Sequence, residues 1–383
     1  MLSVAIGWEL WLRTHNELAL GMVGLVQVIP IIILSLPAGH VADSYSRKKI
    51  VIYSQVLLAL CSLGLGFLSL TSGSIILIYL CLLGIGISRA FNSPAAATLL
   101  PQAVPPQVFT QAVTWSSSSW QLASIIGPAV AGGAAALLNS VTPIYFFDMF
   151  AALVFMLMVI LMKGRQVIPV RKAATLESLK EGLHFIRTTR EILAAITLDM
   201  FAVLLGGAVT LLPVFATDIL KVGAVGLGLM RAAPSIGALV TAFLVAHLPP
   251  FKQAGKTLLW AVVGFGIVTI LFGFSTSFWF TIVLLVLMGA LDNISVVIRG
   301  TLILVRTPDE MRGRTSAVNS IFISASNELG GFESGLTAAL FGPIISVVGG
   351  GIGTVLVVLA VAGIWPELRN LKGLDSPRDE VSA

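Results

Sequence analysis

Eleven runs of about twenty or more mostly apolar residues leave this chain few folds. They cover 19–37, 50–71, 75–96, 110–137, 143–162, 191–215, 224–247, 257–275, 278–301, 315–341 and 345–364. At ~1.5 Å of rise per residue, ~20 residues in a helix cross a ~30 Å hydrocarbon core. That core offers the backbone no water, so only helices and closed barrels can span it. Barrels are built from alternating strands of about 10 residues, whereas these runs are continuous. The predicted fold class is an all-α integral membrane protein. Composition agrees: 57% of residues are hydrophobic and 11% charged, against about 25% charged in soluble domains. The mean hydropathy is +0.99.

Met1–Leu12 is also apolar but reaches only about 18 Å as a helix. It has neither the basic start nor the small-residue cleavage site of a signal peptide. It reads as the outer part of a first helix whose beginning is missing. The expectation is therefore about 12 transmembrane helices, the first truncated.

The basic residues set the orientation. Of the 23 lysines and arginines, 18 fall in alternate loops: Arg47 to Lys49, Lys163 to Arg190, Lys252 and Lys256, Arg306 to Arg314, and Arg369 to Arg378. The opposite loops hold Arg13 and Lys221, and Arg89, Arg231 and Arg299 lie within spans. The positive-inside rule makes the first side cytoplasmic, with both termini expected there. A net charge of +5 spread this way serves membrane orientation, and no nucleic-acid partner is expected.

Residues 164–190 form the longest polar stretch and part the chain into two six-helix halves, 1–163 and 191–369, with a cytoplasmic tail at 370–383. Within the linker, Leu176, Leu179, Leu183, Phe185 and Ile186 predict an amphipathic helix lying on the cytoplasmic face. Duplicated halves are expected to hold a substrate site near the midplane between them. Ala112-Val113-Thr114 and Ala317-Val318-Asn319 echo each other at the start of the fifth helix of each half.

Several groups can carry function. Gly39-His-Val-Ala42-Asp43-Ser-Tyr-Ser-Arg47-Lys48 reads as a short charged turn between two spans. Asp43 and Arg47, four apart, can cap helix ends and bridge to neighbouring helices. Gly127-Pro128-Ala-Val-Ala-Gly132-Gly133 falls mid-span; proline kinks a helix and small residues admit a close neighbour. Charges within the bilayer cost ~2.5–3.5 kcal/mol on insertion scales and are functional candidates by default. Here they are Arg89, Asp199, Asp292, Arg299, Glu328 and Glu333, either as ion pairs between helices or as proton carriers, with Glu328 the first candidate carrier and Asp199 the second. Asp292 and Arg299, seven apart, share a helix face too far apart to pair directly. Asp148 and Arg231 lie nearer the outer surface. Trp115, Trp120 and Gln121, with four serines between the tryptophans, and Asn319 and Asn327 are candidates for lining a substrate cavity.

Other classes are less well served. No His-Glu-x-x-His, Gly-x-Ser-x-Gly or Gly-x-x-x-x-Gly-Lys occurs, which argues against metal or serine chemistry and against a phosphate-cradling loop for ATP. His15, His40, His184 and His247 lie in or near loops, and Cys61 and Cys81 within apolar runs; neither set suggests a metal site. A channel would need a filter loop or a ring of charge. No catalytic residue, metal or cofactor is expected, and a polytopic enzyme or a non-transporting membrane protein is the rival class.

The Gly39–Lys49 segment resembles the signature loop of major facilitator superfamily transporters, Gly-x-Leu-Ala-Asp-Arg-x-Gly-Arg-Lys/Arg-x. Gly39, Ala42, Asp43, Arg47 and Lys48 match; Val41, Ser44 and Ser46 depart from it. Gly127–Gly133 resembles the Gly-Pro-x-x-Gly-Gly antiporter signature with one residue inserted. Gly84–Pro94 with Leu99–Pro101, Trp115–Gln121, Arg306–Arg314, and Asn319 with Ser326–Gly335 run in the order seen in the bacterial branch of siderophore and drug exporters. The resemblance implies the major facilitator fold, alternating access and proton-driven export. The loop is then a conformational switch and the kinked helix a gate. It also implies a bacterial cytoplasmic membrane, a small-molecule substrate, protons and lipid as partners, and a monomer. A general drug pump and a dedicated siderophore exporter remain open.

Overall fold

Asn16 and Ser74 show how the helices begin. The side chain of Asn16 accepts the Leu18 amide at 2.8 Å and that of Ser74 the Ile76 amide at 3.3 Å, each satisfying one of the orphan donors at a helix start. The computed structural model describes residues 1–162, 176–249 and 251–373. Linker residues 164–175 and the tail from 374 lie outside the described residues, as do the side chains of Asp43, Leu176 and Leu179.

The helices are α1 (Leu2–Thr14), α2 (Glu17–Ser44), α3 (Arg47–Leu70), α4 (Ile75–Ala103), α5 (Phe109–Leu137), α6 (Thr142–Leu161), α7 (Leu176–Thr188) and α8 (Arg190–Leu205). There follow the single turn α9 (Leu212–Val214), then α10 (Gly223–His247), α11 (Ala254–Gly273), α12 (Phe278–Arg306), α13 (Asp309–Phe341), α14 (Pro343–Ile364) and the short α15 (Pro366–Arg369). No strand occurs among the described residues. Among the described residues, ten helices are long and apolar enough to cross a membrane. Helix underlies every expected span, with a break in the seventh; the one at 315–341 belongs to the 33-residue α13, whose asparagines, serines and acids keep it less apolar than the other ten. The 13-residue α1 is too short to be among them.

The seventh span departs from the expected continuous helix. α8 stops at Gly206, and the chain passes through a 3-10 segment at Ala208–Leu211, α9 and a π segment at Phe215–Ile219. Glycine is the weakest helix former after proline, and Gly206-Gly207 doubles that weakness. Hydropathy alone does not register such a break.

By packing, the chain forms two units: Met1–Leu176 with Pro213–Ala232, and Glu177–Leu212 with Ala233–Ala383. In the first, α3 lies along α4 and α6, α2 lies along α4, and α1 rests on α5. In the second, α11 lies along α12 and α14, and α8 rests on α13 and α14. The α3–α4–α6 arrangement thus recurs as α11–α12–α14. Both units expose large apolar side chains such as Ile33, Tyr53, Phe243 and Trp260. Lipid solvates such a surface as water cannot.

Candidate functional site

The expected charged turn is mostly helix. Gly39, Ala42 and Asp43 lie on the last turns of α2, Arg47 and Lys48 on the first turn of α3, and only Tyr45 and Ser46 connect them. Nothing from Gly39 to Ser44 compels a break; the extended backbone of Tyr45 ends the helix. Ala42 is buried, and its carbonyl accepts Arg47 Nε at 3.4 Å. Lys48 Nζ donates to the carbonyls of Ile160 and Met162 at 2.8 and 3.0 Å. Those oxygens sit at the unsatisfied C-terminal end of α6, where the helix dipole favours a cation. Lys48 thereby ties the start of α3 to the end of α6.

α5 runs unbroken through Pro128. Its motif meets the first turns of α10, which belong to the same unit. A Cβ on Gly132 would collide with the Ala224 carbonyl oxygen and come within 2.7 Å of Gly228 Cα. One on Gly228 would come within 2.6 Å of the Pro128 carbonyl oxygen. Glycine at both positions is what lets these backbones touch. Gly127 faces Met1, while Gly133 faces open space. Beside this crossing, Trp11 Nε1 donates to Thr217 Oγ1 at 2.7 Å, and Gly7 lies against the Pro213 ring.

The other end of α5 is different. Trp115 and Trp120 are 75% and 76% exposed, the four serines between them are exposed, and Gln121 is half-buried. On α13, Asn319 is half-buried and Asn327 exposed, its Nδ2 donating to the Ile323 carbonyl at 2.8 Å.

The charges within the helices fall at separate places. On α4, Arg89 Nη1 donates to Gln27 Oε1 of α2 at 2.8 Å. On α12, Arg299 forms an ion pair with Asp199 of α8, and their side chains are only 5% and 10% exposed. Asp199, Asp292 and Ser295 border a small cavity between α8, α11 and α12, walled by Val262, Phe265 and Leu291. Glu328 and Glu333 are half-buried on α13, and Ser334 Oγ lies 3.5 Å from Glu333 Oε2. Asp148 accepts Ser62 Oγ at 2.7 Å.

Two features escaped the sequence reading. Glu9 of α1 is buried and pairs with Arg13 at 2.6 Å. Arg13 also donates to the Leu68 and Gly73 carbonyls, both at 3.0 Å, closing the end of α3. A single acid within an otherwise apolar stretch was the available signal. The second feature is what the expected amphipathic linker helix packs against. The described part of α7 turns Ile186 into an apolar cluster with Ile192, Ile196, Ile303 and Val318 of the second unit. Glu181 pairs with Arg314, and a Cβ on Gly182 would lie 2.9 Å from the Arg314 carbonyl oxygen. Protein covers the described part of this apolar face.

Known proteins agree with the architecture. The profile of a family described as transmembrane secretion effectors matches residues 1–380. The enterobactin exporter EntS of Escherichia coli K12 is 23% identical over 378 residues, covering 97% of this chain and 89% of the exporter. EntS of Shigella boydii serotype 18 gives the same figures. Among solved structures, a variant of the nucleoside transporter NupG aligns with a TM-score of 0.73 at 12% identity, over 94% of each chain. A bacterial homologue of the human lysosomal transporter Spinster, in an inward-facing unoccupied conformation, aligns with a TM-score of 0.72 at 13% identity. That alignment covers 96% of this chain and 94% of the other. These structural likenesses speak for the fold.

Proposed function

We propose an export role whose premise is family: the chain belongs to the transmembrane secretion effectors, and it is a multi-pass transporter of the major facilitator superfamily, not an enzyme. In our reading it moves small organic molecules, siderophore-like metabolites or drugs, outward across a bacterial cytoplasmic membrane by alternating access, in exchange for protons. In this reading both termini lie in the cytoplasm, which the distribution of basic loops supports.

The single observation that carries the proposal is the contrast along α5. One end is locked to α10 through Gly132 and Gly228; the other exposes Trp115, Trp120 and the serines between them. Hydroxyls on every side of a helix suit a water-filled path better than lipid, and exposed indoles offer flat faces to an aromatic solute. Gly132 and Gly228 then form the outer closure, which parts when the path opens outward. Gly39, Ala42, Asp43, Arg47 and Lys48 serve as the inner switch, anchored by Lys48 on α6. Gln121, Asn319 and Asn327 supply polar contacts to the solute. Glu328 is our first candidate for the exchanged proton and Asp199 the second, since a carboxyl removed from water can load and release protons near neutral pH.

The test is secretion by a bacterial strain lacking its own siderophore exporter. Expression of this chain should raise the outward flux of catecholate siderophores or of one compound in a drug panel. Glu328→Gln should abolish that flux while the protein stays in the membrane. Wild-type flux in that variant would remove Glu328 from the mechanism, and no flux of any compound would overturn the export reading.

A further inference from the structure

The groove where the linker helix α7 meets the start of α13 has no part in the export scheme above. It has a volume of ≈ 570 Å³ and lies within the second unit. Lys180, His184 and Thr188 follow one another at four-residue steps along α7, with Glu181 and Phe185 beside them. Met311 and Arg314 of α13 form the facing wall. Sites of ~300–1,000 Å³ suit small organic molecules, so a lone inorganic ion would leave most of this space to water.

Charge, polarity and level narrow the occupant. Glu181 is engaged by Arg314, whose Nη1 also reaches Met311 Sδ at 3.3 Å. Lys180 and His184 are exposed, and neither side chain has a hydrogen-bond or ion-pair partner among the described residues. Lys180, Arg314 and Glu181 sum to one positive charge, and a protonated His184 adds a second. One phosphodiester balances that, whereas a nucleoside polyphosphate overshoots. With Glu181 committed to Arg314, no free acid lines the groove to meet the ammonium of a zwitterionic headgroup. Phe185 and the Met311 thioether add an apolar wall, which a phosphate alone would leave wet and hydrocarbon covers. Thr188 stands two residues before α8, and Arg314 directly before the span expected at 315–341. Both walls therefore end where their chains enter the bilayer, on the side that the basic loops mark as cytoplasmic. Basic pockets at that level suit anionic lipid headgroups.

We infer that this groove binds one anionic phospholipid of the phosphatidylglycerol type, its phosphate held by Lys180, His184 and Arg314 and the start of its acyl chains lying on Phe185 and Met311. Once occupied, the groove ties the linker helix to α13. The inference rests on the placement of the chain in a membrane and not on export.

Lipid photolabelling of the purified full-length protein tests it without requiring transport, so failure of the export reading would leave this result standing. Phosphatidylglycerol and phosphatidylcholine, each with a photoreactive group at the start of an acyl chain, are placed in turn in nanodiscs around the protein, and the labelled peptides are mapped. Phosphatidylglycerol should label 180–188 and 311–314 about fivefold or more above phosphatidylcholine. Lys180→Gln should weaken that labelling about fivefold, the loss expected for one cation at a membrane surface. Lys252→Gln, which removes an exposed lysine elsewhere on the same unit, should leave it unchanged. Thermal unfolding verifies that the variants are folded, and His184→Gln supplies the test if Lys180→Gln is not. Excess soluble glycerol phosphate distinguishes a lipid site from one for a free phosphate and should not displace the label. Equal labelling by the two lipids, labelling indifferent to Lys180→Gln and His184→Gln, or displacement by glycerol phosphate would overturn the assignment.

Discussion

α4 and α12 occupy matching places, one along α3 and the other along α11, and each carries an arginine within its span. Arg89 donates to the amide of Gln27; Arg299 is held by the carboxylate of Asp199. Seven residues before Arg89 stands the fully buried Leu82, whereas seven before Arg299 stands Asp292 beside a cavity. Packing order therefore does not dictate electrostatic task. Counted from the start of each 29-residue helix, Arg89 of α4 and Asp292 of α12 hold the same position, so the repeated arrangement keeps a cation in one unit where the other keeps an acid.

The sharpest way to break this contrast is to remove one partner from each arginine. Asp199→Asn strands the buried Arg299 charge and should cost about 3–5 kcal/mol, read as a large fall in the midpoint of thermal unfolding. Replacing both members, Asp199→Leu with Arg299→Met, should restore most of that loss. If Asp199→Asn unfolds like the wild type, the pair is not what holds Arg299. Next in size, Gly228→Leu forces a side chain into the α5–α10 crossing. Overpacking of about 1–3 kcal/mol should open this crossing, and cysteine labelling at Ala224 is the readout; unchanged labelling would deny the closure a role. Gln27→Ala should be milder, about 1.5 kcal/mol, as expected for a hydrogen bond to a charged donor. A cost equal to that of Asp199→Asn would erase the distinction between the two arginines.

The smallest effect is expected at Arg190 and Glu367, an exposed pair 2.8 Å apart. The Arg190 hydrogen bond holds the Glu367 carboxyl below its usual range. A depressed carboxylate stabilises the fold above its unfolded pKa, and that contribution is lost as pH falls through the folded value. Arg190→Ala should therefore slightly flatten the acid side of the stability-against-pH curve and leave the neutral region almost unchanged. A loss confined to alkaline pH would contradict the sign.

Much of this molecule was legible in its sequence because a bilayer imposes a coarse rule. A run such as 143–162, with no charge but Asp148, has little choice but to span, and it does so as α6. Where polarity and periodicity were mixed, reading was poorer. α13 is a single helix carrying Asn319, Asn327, Glu328 and Glu333, and its full extent back to Asp309 follows from Pro308 at its start rather than from hydropathy. The break after Leu205 was invisible because apolar content continues straight through it. The apolar face of α7 signalled only that something covers it; that the cover includes Ile303 and Val318 depends on tertiary packing. Candidate residues were legible as buried charges, but their partners were not. Spacing along α12 could separate Asp292 from Arg299, yet only the crossing of α8 reveals Asp199 beside Arg299.

Coupled exchange in sealed proteoliposomes tests the central claim most directly. The purified chain is reconstituted with a compound found to be exported, and an inward gradient of protons is imposed. The account predicts that this gradient drives the solute uphill against its own gradient, and that Glu328→Gln leaves only downhill leakage. Solute movement indifferent to the proton gradient, or uphill transport undiminished by Glu328→Gln, would contradict it.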